Sequence, residues 1–225
     1  LAKPLGVAIF DLDGTLVDTS GDIIASANHI RALAGKEALS PQRVLAFVGQ
    51  GARHLVRNVL ELQEESEIDQ FVTIYQDNYR DHQGEASALY PGIRECLMDL
   101  SEDFDLYVLS NKPHDAVVAE LALHGIADRF KAAFGAGSLS ALKPSPVGVL
   151  LAMELSGVPP KRAVMVGDSP QDVLAGQAAG ASVVHVQWGY SQLSEDSPSP
   201  DAAIADSNDL CHTVYDLLTG GVPQG

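Results

Sequence analysis

Eight polar residues stand where short apolar runs stop. "VAIF" leads into Asp11, Leu12, Asp13 and Gly14; "LYVL" leads into Ser110, Asn111 and Lys112; "AVMVG" leads into Asp168 and, four residues on, Asp172. Lys143 follows the weaker run "AAF", in "LKPSP". Carboxylates at the end of a buried strand each cost solvation energy unless something offsets it. A divalent cation suits that task. Mg²⁺ takes carboxylate, carbonyl and water oxygens, so Asp11 and Asp168 with the main-chain carbonyl of Asp13 make a reasonable protein-side shell. The metal and Lys143 together would hold a phosphoryl group against the repulsion of the carboxylates.

These residues converge only if the runs that carry them are neighbouring strands. "VAIF" (7–10), "LYVL" (106–109), "AVMV" (163–166) and "SVVHV" (182–186), with the weaker "AAF" (132–134) and "AAIA" (202–205), are continuous rather than alternating, as strands covered on both faces are. Helical stretches lie between most of them. "PHDAVVAELALHG" starts near Pro113 and stops at Gly125, "SPVGVLLAMELSG" ends at Gly157 and "PQDVLAGQAAG" ends at Gly180. The alternation predicts an α/β fold with an open, Rossmann-like parallel sheet, whose site lies beyond the carboxyl ends of the strands. One interval breaks the rhythm. From Asp18 to Gly84 the apolar spacing is helical throughout, as in Leu55, Val56, Val59 and Leu60, and then Ile68, Phe71, Val72, Tyr75 and Tyr79. This is a helical insertion after the first strand, and "GEASALYPG" is the returning linker.

Composition narrows the partners. With 14 Lys+Arg against 30 Asp+Glu, the formal charge of −16 would repel a nucleic-acid backbone and an anionic membrane surface, leaving a small anionic substrate wherever cations gather locally. No apolar run approaches the ~20 residues that span a bilayer, and the opening "LAKPLG" lacks the layout of a signal peptide, so a cytoplasmic location is expected. Cys96 and Cys211 have no metal-site spacing and read as reduced thiols; the seven His show no paired spacing, which disfavours zinc. The closing "GGVPQG" is expected to fray. Oligomeric state, monomer or homodimer, is not legible.

"DLDGTLVDT", the Ser110 turn, Lys143 in "LKP" and "GDSPQD" resemble, in that order and over nearly the whole chain, the four motifs of the haloacid dehalogenase superfamily of phosphohydrolases. The resemblance implies that Asp11 attacks phosphorus and becomes an aspartyl phosphate, and that Asp13 serves as general acid and then base. Such a division is chemically sound: a carboxylate nucleophile splits one difficult displacement into two easier ones, and the acyl phosphate then needs a base to activate water. Ser110 and Asn111 would bind the phosphoryl oxygens. Lys143 would offset charge on Asp11 and on the phosphoryl group, and Asp172 would orient the metal shell or Lys143 from behind. The superfamily also places a cap where the insertion lies, which implies a core of residues 1–17 and 88–225 and a specificity cap of residues 18–87.

"TSGDIIASANHI" and "VGQGARHLV" within the cap, with "WGYSQL" and "PDAAIAD" near the end, are similar to stretches of phosphoglycolate phosphatases. That likeness implies hydrolysis of 2-phosphoglycolate to glycolate and phosphate. Its carboxylate calls for a donor or a positive charge in the cap; Arg53 is the first candidate, Arg57 and His54 the next. The alternatives are a phosphatase or phosphomutase of the same superfamily acting on a sugar phosphate or nucleotide. Dehalogenation would leave Asp13 without a task, and a receiver-type phosphate switch is about half this length with no helical cap.

Overall fold

A computed structural model describes residues 3–194 and 196–220. Of the "GGVPQG" end expected to fray, all but Gly220 lies outside the described residues. The first apolar run forms β1 (Gly6–Phe10), buried along its whole length. Alternate side chains serve opposite faces, as the two-residue period of a strand dictates: Ala8 and Phe10 join one hydrophobic cluster, Val7 and Ile9 the other. Continuous rather than alternating apolar character follows from that two-sided burial.

After β1 come a two-residue strand β2 (Val17–Asp18), helices α1 (Ser20–Leu33), α2 (Pro41–Leu45), α3 (Ala52–Leu60) and α4 (Glu65–His82), and a matching strand β3 (Ala88–Leu89). The rest alternates: α5 (Ile93–Asp103), β4 (Phe104–Pro113), α6 (His114–Leu123), β5 (Ala132–Ala136), α7 (Val147–Ser156), β6 (Ala163–Gly167), α8 (Pro170–Ala179), β7 (Ser182–Val186), β8 (Ala202–Ile204) and α9 (Leu210–Thr219). Six strands form one parallel sheet in the order β5-β4-β1-β6-β7-β8, the open α/β sheet that the apolar runs predict. Helices α7 and α8 close on Gly157 and Gly180, and α8 opens with Pro170 in its first turn behind the cap residue Ser169.

Helices α1, α3 and α4 and the short α2 pack around their own cluster, in which Ile23, Ala27, Ile30, Val44, Val56, Val59 and Leu60 are buried. The helical spacing between Asp18 and Gly84 thus reports a real apolar stripe. A small difference from the sequence reading lies at its ends. Val17 and Asp18 pair antiparallel with Leu89 and Ala88, so departing and returning chains form a ribbon where only a linker was expected. Two residues per strand are too few to show an alternating pattern. No helix among the described residues is long and apolar enough to cross a membrane.

Candidate active site

Strand β1 lies between β4 and β6, and the chain winds outward from it in both directions, so a crevice opens at the carboxyl ends of these strands. The main-chain N–H of Asp11 donates to Val166 O at 2.9 Å, holding the residue after β1 beside the end of β6. Leu12 and Leu16 are sunk in the core, which keeps the carboxylates of Asp11 and Asp13 at the rim. Gly14 adopts φ +78, and a Cβ there would sit 2.8 Å from Asp168 Oδ2. A larger residue would push the acidic turn off the neighbouring strand end.

Lys143 is the hub of the buried charges. Its side chain is 1% exposed, and Nζ pairs with Asp11 Oδ1 at 2.9 Å and donates to Asp172 Oδ1 at 2.6 Å. Asp172 Oδ2 in turn accepts from the Ser169 N–H at 3.0 Å and the Ser169 hydroxyl at 2.6 Å, the reciprocal cap that starts α8. Both Asp172 oxygens are thus engaged, one by Lys143 and the other by Ser169. Burial alone would drive the Lys143 ammonium toward neutrality, but the charges of Asp11 and Asp172 more than offset it and hold its proton more tightly than usual. Asp168 Oδ2 accepts from the N–H groups of Tyr190 at 2.7 Å and Ser191 at 3.2 Å.

Burial pushes the Asp11 carboxyl up to about 7 and the Asp168 carboxyl up to about 8, and repulsion within the acidic group adds to both. One lysine therefore leaves negative charge uncompensated. Carboxylate oxygens of Asp11, Asp168 and Asp172 all come within 4.8 Å of one another. A cluster of hard oxygen donors with surplus buried charge fits a divalent cation, with Asp11 and Asp168 as the carboxylates still able to ligate.

Asp13 faces the other way. Its Oδ1 accepts from the Thr19 hydroxyl at 2.6 Å and from Lys112 Nζ at 2.7 Å. Lys112 Nζ also donates to the Tyr79 hydroxyl on α4 at 2.6 Å and lies 4.3 Å from the centre of that ring. The Tyr190 hydroxyl accepts from the Thr19 N–H at 2.7 Å and donates to Asp18 at 3.0 Å, so the "WGY" loop ties Asp168 to the chain entering the helical insertion. A cavity of about 210 Å³ opens over Asp11, Asp13 and Ser110, walled by Ile23, Leu55, Tyr75 and Tyr79 from the inserted helices.

Asn111 lines this cavity, yet its carboxamide is committed elsewhere. Both amide hydrogens are donated, to Gly49 O and Lys143 O at 2.9 Å each, and its oxygen accepts the Lys143 N–H at 2.9 Å. The carboxamide thus acts as a clamp, which fastens the Lys143 loop and the "GQG" turn to β4. Gly49 and Gly51, at φ +99 and +88, give that turn the left-handed backbone it needs to approach Asn111.

Arg53 and Arg57, the expected cap cations, do not line the cavity. They lie four residues apart on a flank of α3 turned away from its buried stripe. Arg53 pairs with Glu65 and Asp69, and Arg57 with Glu65, all on the exposed start of α4. His54 does not line the cavity either; Ala52 and Leu55 are the α3 residues that do. The cations at the cavity wall are instead Lys112 and Arg80. The sequence reading assigned neither a role. For Lys112 a cue was present: it continues the Ser110–Asn111 run off the same buried strand. For Arg80, as for Tyr190, nothing short of the packed helices shows where the side chain goes.

The haloacid dehalogenase-like hydrolase family matches residues 8–186. A phosphoglycolate phosphatase from Agrobacterium fabrum is 34% identical over 223 residues, 96% of each chain. Another, plasmid-borne, from Cupriavidus necator is 35% identical over 194 residues, 84% of each chain. Among solved structures, one described as a predicted phosphoglycolate phosphatase from Haemophilus somnus superposes with a TM-score of 0.86 at 29% identity, covering 92% of this chain and 97% of its own. A match over most of the length, on a fold that brings Asp11, Lys143 and Asp168 to one crevice, makes this chain a member of the haloacid dehalogenase-like hydrolase family.

Proposed function

We propose that this phosphoric monoester hydrolase takes 2-phosphoglycolate, releasing glycolate and phosphate through an aspartyl phosphate on Asp11. The observation that carries the chemistry is the Asp11 carboxylate held at 2.9 Å from the buried Lys143 ammonium, beside a cavity into which Asp13 also faces. Support for the substrate comes from the names of relatives that match almost end to end, and from a cavity of about 210 Å³, which suits a compact ester.

Asp11 would attack phosphorus in line with the ester oxygen while Ser110 and Lys143 bind the equatorial oxygens. Asp13, next along the rim, would give its proton to the departing glycolate oxygen and then take one from the water that opens the acyl phosphate. Magnesium bound by Asp11, Asp168 and the main-chain carbonyl of Asp13 would supply the charge that lets carboxylates and phosphoryl group share one space. Lys143, oriented by Asp172, would neutralise Asp11 without moving. The inserted helices would exclude water from the phosphorylated aspartate, and we assign residues 18–87 to this cap and the remainder to the catalytic core.

A panel of 2-phosphoglycolate, hexose and pentose phosphates, a nucleoside monophosphate and an aryl phosphate, assayed for phosphate release with magnesium, tests the reading. The highest kcat/KM is expected for 2-phosphoglycolate. A preference for a sugar phosphate or nucleotide would refute the substrate and leave the chemistry standing.

A further inference from the structure

The substrate assigned above is a compact diacid, with a single methylene between the ester oxygen and a carboxylate. Bringing that carboxylate into an apolar-walled cavity already lined by Asp11 and Asp13 is unfavourable without a cation to meet it. Of the two cations at the wall, Arg80 is 58% exposed and answered by Asp77 at 2.8 Å and Asp115 at 3.6 Å. Lys112 is different: it lines the cavity with a side chain 7% exposed, and its Nζ lies 2.7 Å from Asp13 Oδ1.

We propose that Lys112 receives the substrate carboxylate and is the residue that selects 2-phosphoglycolate over phosphate esters lacking a negative charge at that end. The inference rests on the proposed function, and its geometry follows from Asp13. The carboxyl that serves the ester oxygen must lie within hydrogen-bond reach of it. Lys112 Nζ lies one hydrogen bond beyond that same carboxyl, so a carboxylate one methylene from the ester oxygen falls within reach of the ammonium.

An ammonium has three donors. Asp13 Oδ1 and the Tyr79 hydroxyl take two, and no described residue takes the third. The Tyr79 ring, 4.3 Å from Nζ, further fixes the group, so little side-chain freedom remains to be lost when an anion binds. Because Tyr79 comes from α4 and Lys112 from β4, the receptor is complete only with the inserted helices seated on the sheet. Burial also makes the contact stronger than an exposed arginine would provide, since solvent screens it less.

The test compares kcat/KM for 2-phosphoglycolate with that for 2-hydroxyethyl phosphate, the same ester with a hydroxymethyl group in place of the carboxylate. Both are measured on one preparation of full-length protein with magnesium, so the ratio is independent of the folded fraction. Lys112→Met is expected to lower the ratio by about 10- to 100-fold, mostly through KM for 2-phosphoglycolate, the loss that accompanies removal of a hydrogen bond to a charged group. Tyr79→Phe, which keeps the ammonium but frees it, should lower it in the same direction by less. If Lys112→Met turns over neither ester, calorimetric binding of both to Asp11→Asn and to Asp11→Asn/Lys112→Met gives the same comparison. An equal fall for both esters would overturn the proposal, leaving Lys112 to serve Asp13 alone; so would loss of the ratio in Arg80→Ala but not in Lys112→Met. A wild-type protein with no preference between the two esters would refute the assigned substrate itself, whereas a wild-type preference that survives Lys112→Met refutes only the role of the lysine.

Discussion

Asn111→Ala removes three hydrogen bonds in one step, two buried ones to Lys143 O and the Lys143 N–H and a partly buried one to Gly49 O. At a net value of about 1 kcal/mol each, the loss is about 3 kcal/mol. For a chain of this size each kcal/mol moves Tm by about 2–4 °C, which predicts a drop of about 6–12 °C by calorimetry or circular dichroism. The Lys143 loop loses its tether to β4, so kcat should also fall, by about 10- to 100-fold if Lys143 strays even slightly from Asp11. Inhibition by orthophosphate, compared with wild type at temperatures where both are folded, separates a clamp from a ligand contact. An unchanged Tm together with weaker orthophosphate inhibition would refute the clamp and return the carboxamide to the phosphate.

Arg53→Ala should leave kcat/KM for 2-phosphoglycolate within about twofold of wild type, because its partners Glu65 and Asp69 are exposed and the pair lies off the cavity; a sharp rise in KM for this substrate alone would restore the arginine to the site. Asp172→Asn keeps a side chain of the same shape but weakens the hold on Lys143, so steady-state assays should show kcat lower by about 10- to 100-fold with a smaller change in KM. Equal losses in kcat and in Tm-corrected folded fraction would instead mark Asp172 as the helix cap of α8 and nothing more. Chelation should abolish turnover and magnesium restore it, read as phosphate release; chelator-insensitive activity would remove the metal from the mechanism.

What the sequence made legible is what short-range pattern controls. The strand that ends at Phe10 could be placed because residues buried on both faces must be apolar without interruption, and the acidic turn behind it then falls at a sheet rim by topology alone. Helix ends at Gly157 and Gly180 are equally local, since the left-handed closing residue favours glycine. The convergence of Asp11, Lys143, Asp168 and Asp172 was legible for the same reason: each follows a strand or precedes a helix of the sheet.

The inserted helices were legible as helices but not as a surface. Periodicity marks the buried stripe of α3 through Val56 and Val59, yet whether the flanking Arg53 turns toward substrate or toward Glu65 depends on where α4 packs, which no local pattern encodes. The same limit hid Tyr79, whose hydroxyl meets Lys112 across 33 positions of sequence, and Tyr190, which meets Thr19 across 171. Asn111 was ambiguous for a different reason. A carboxamide beside a strand end suits phosphate and main chain equally, and only the approach of Gly49 and Lys143 reveals the clamp.

Covalent capture of the phosphoryl group by Asp11 is the claim on which the rest depends. Protein mixed with 2-phosphoglycolate and magnesium, quenched in acid before the first turnover is complete and mapped by peptide mass spectrometry, reads it directly. The account predicts phosphate on the Asp11 side chain, with none in Asp11→Asn. Label on another residue, or full product release with no phosphorylated species at any quench time, would contradict it.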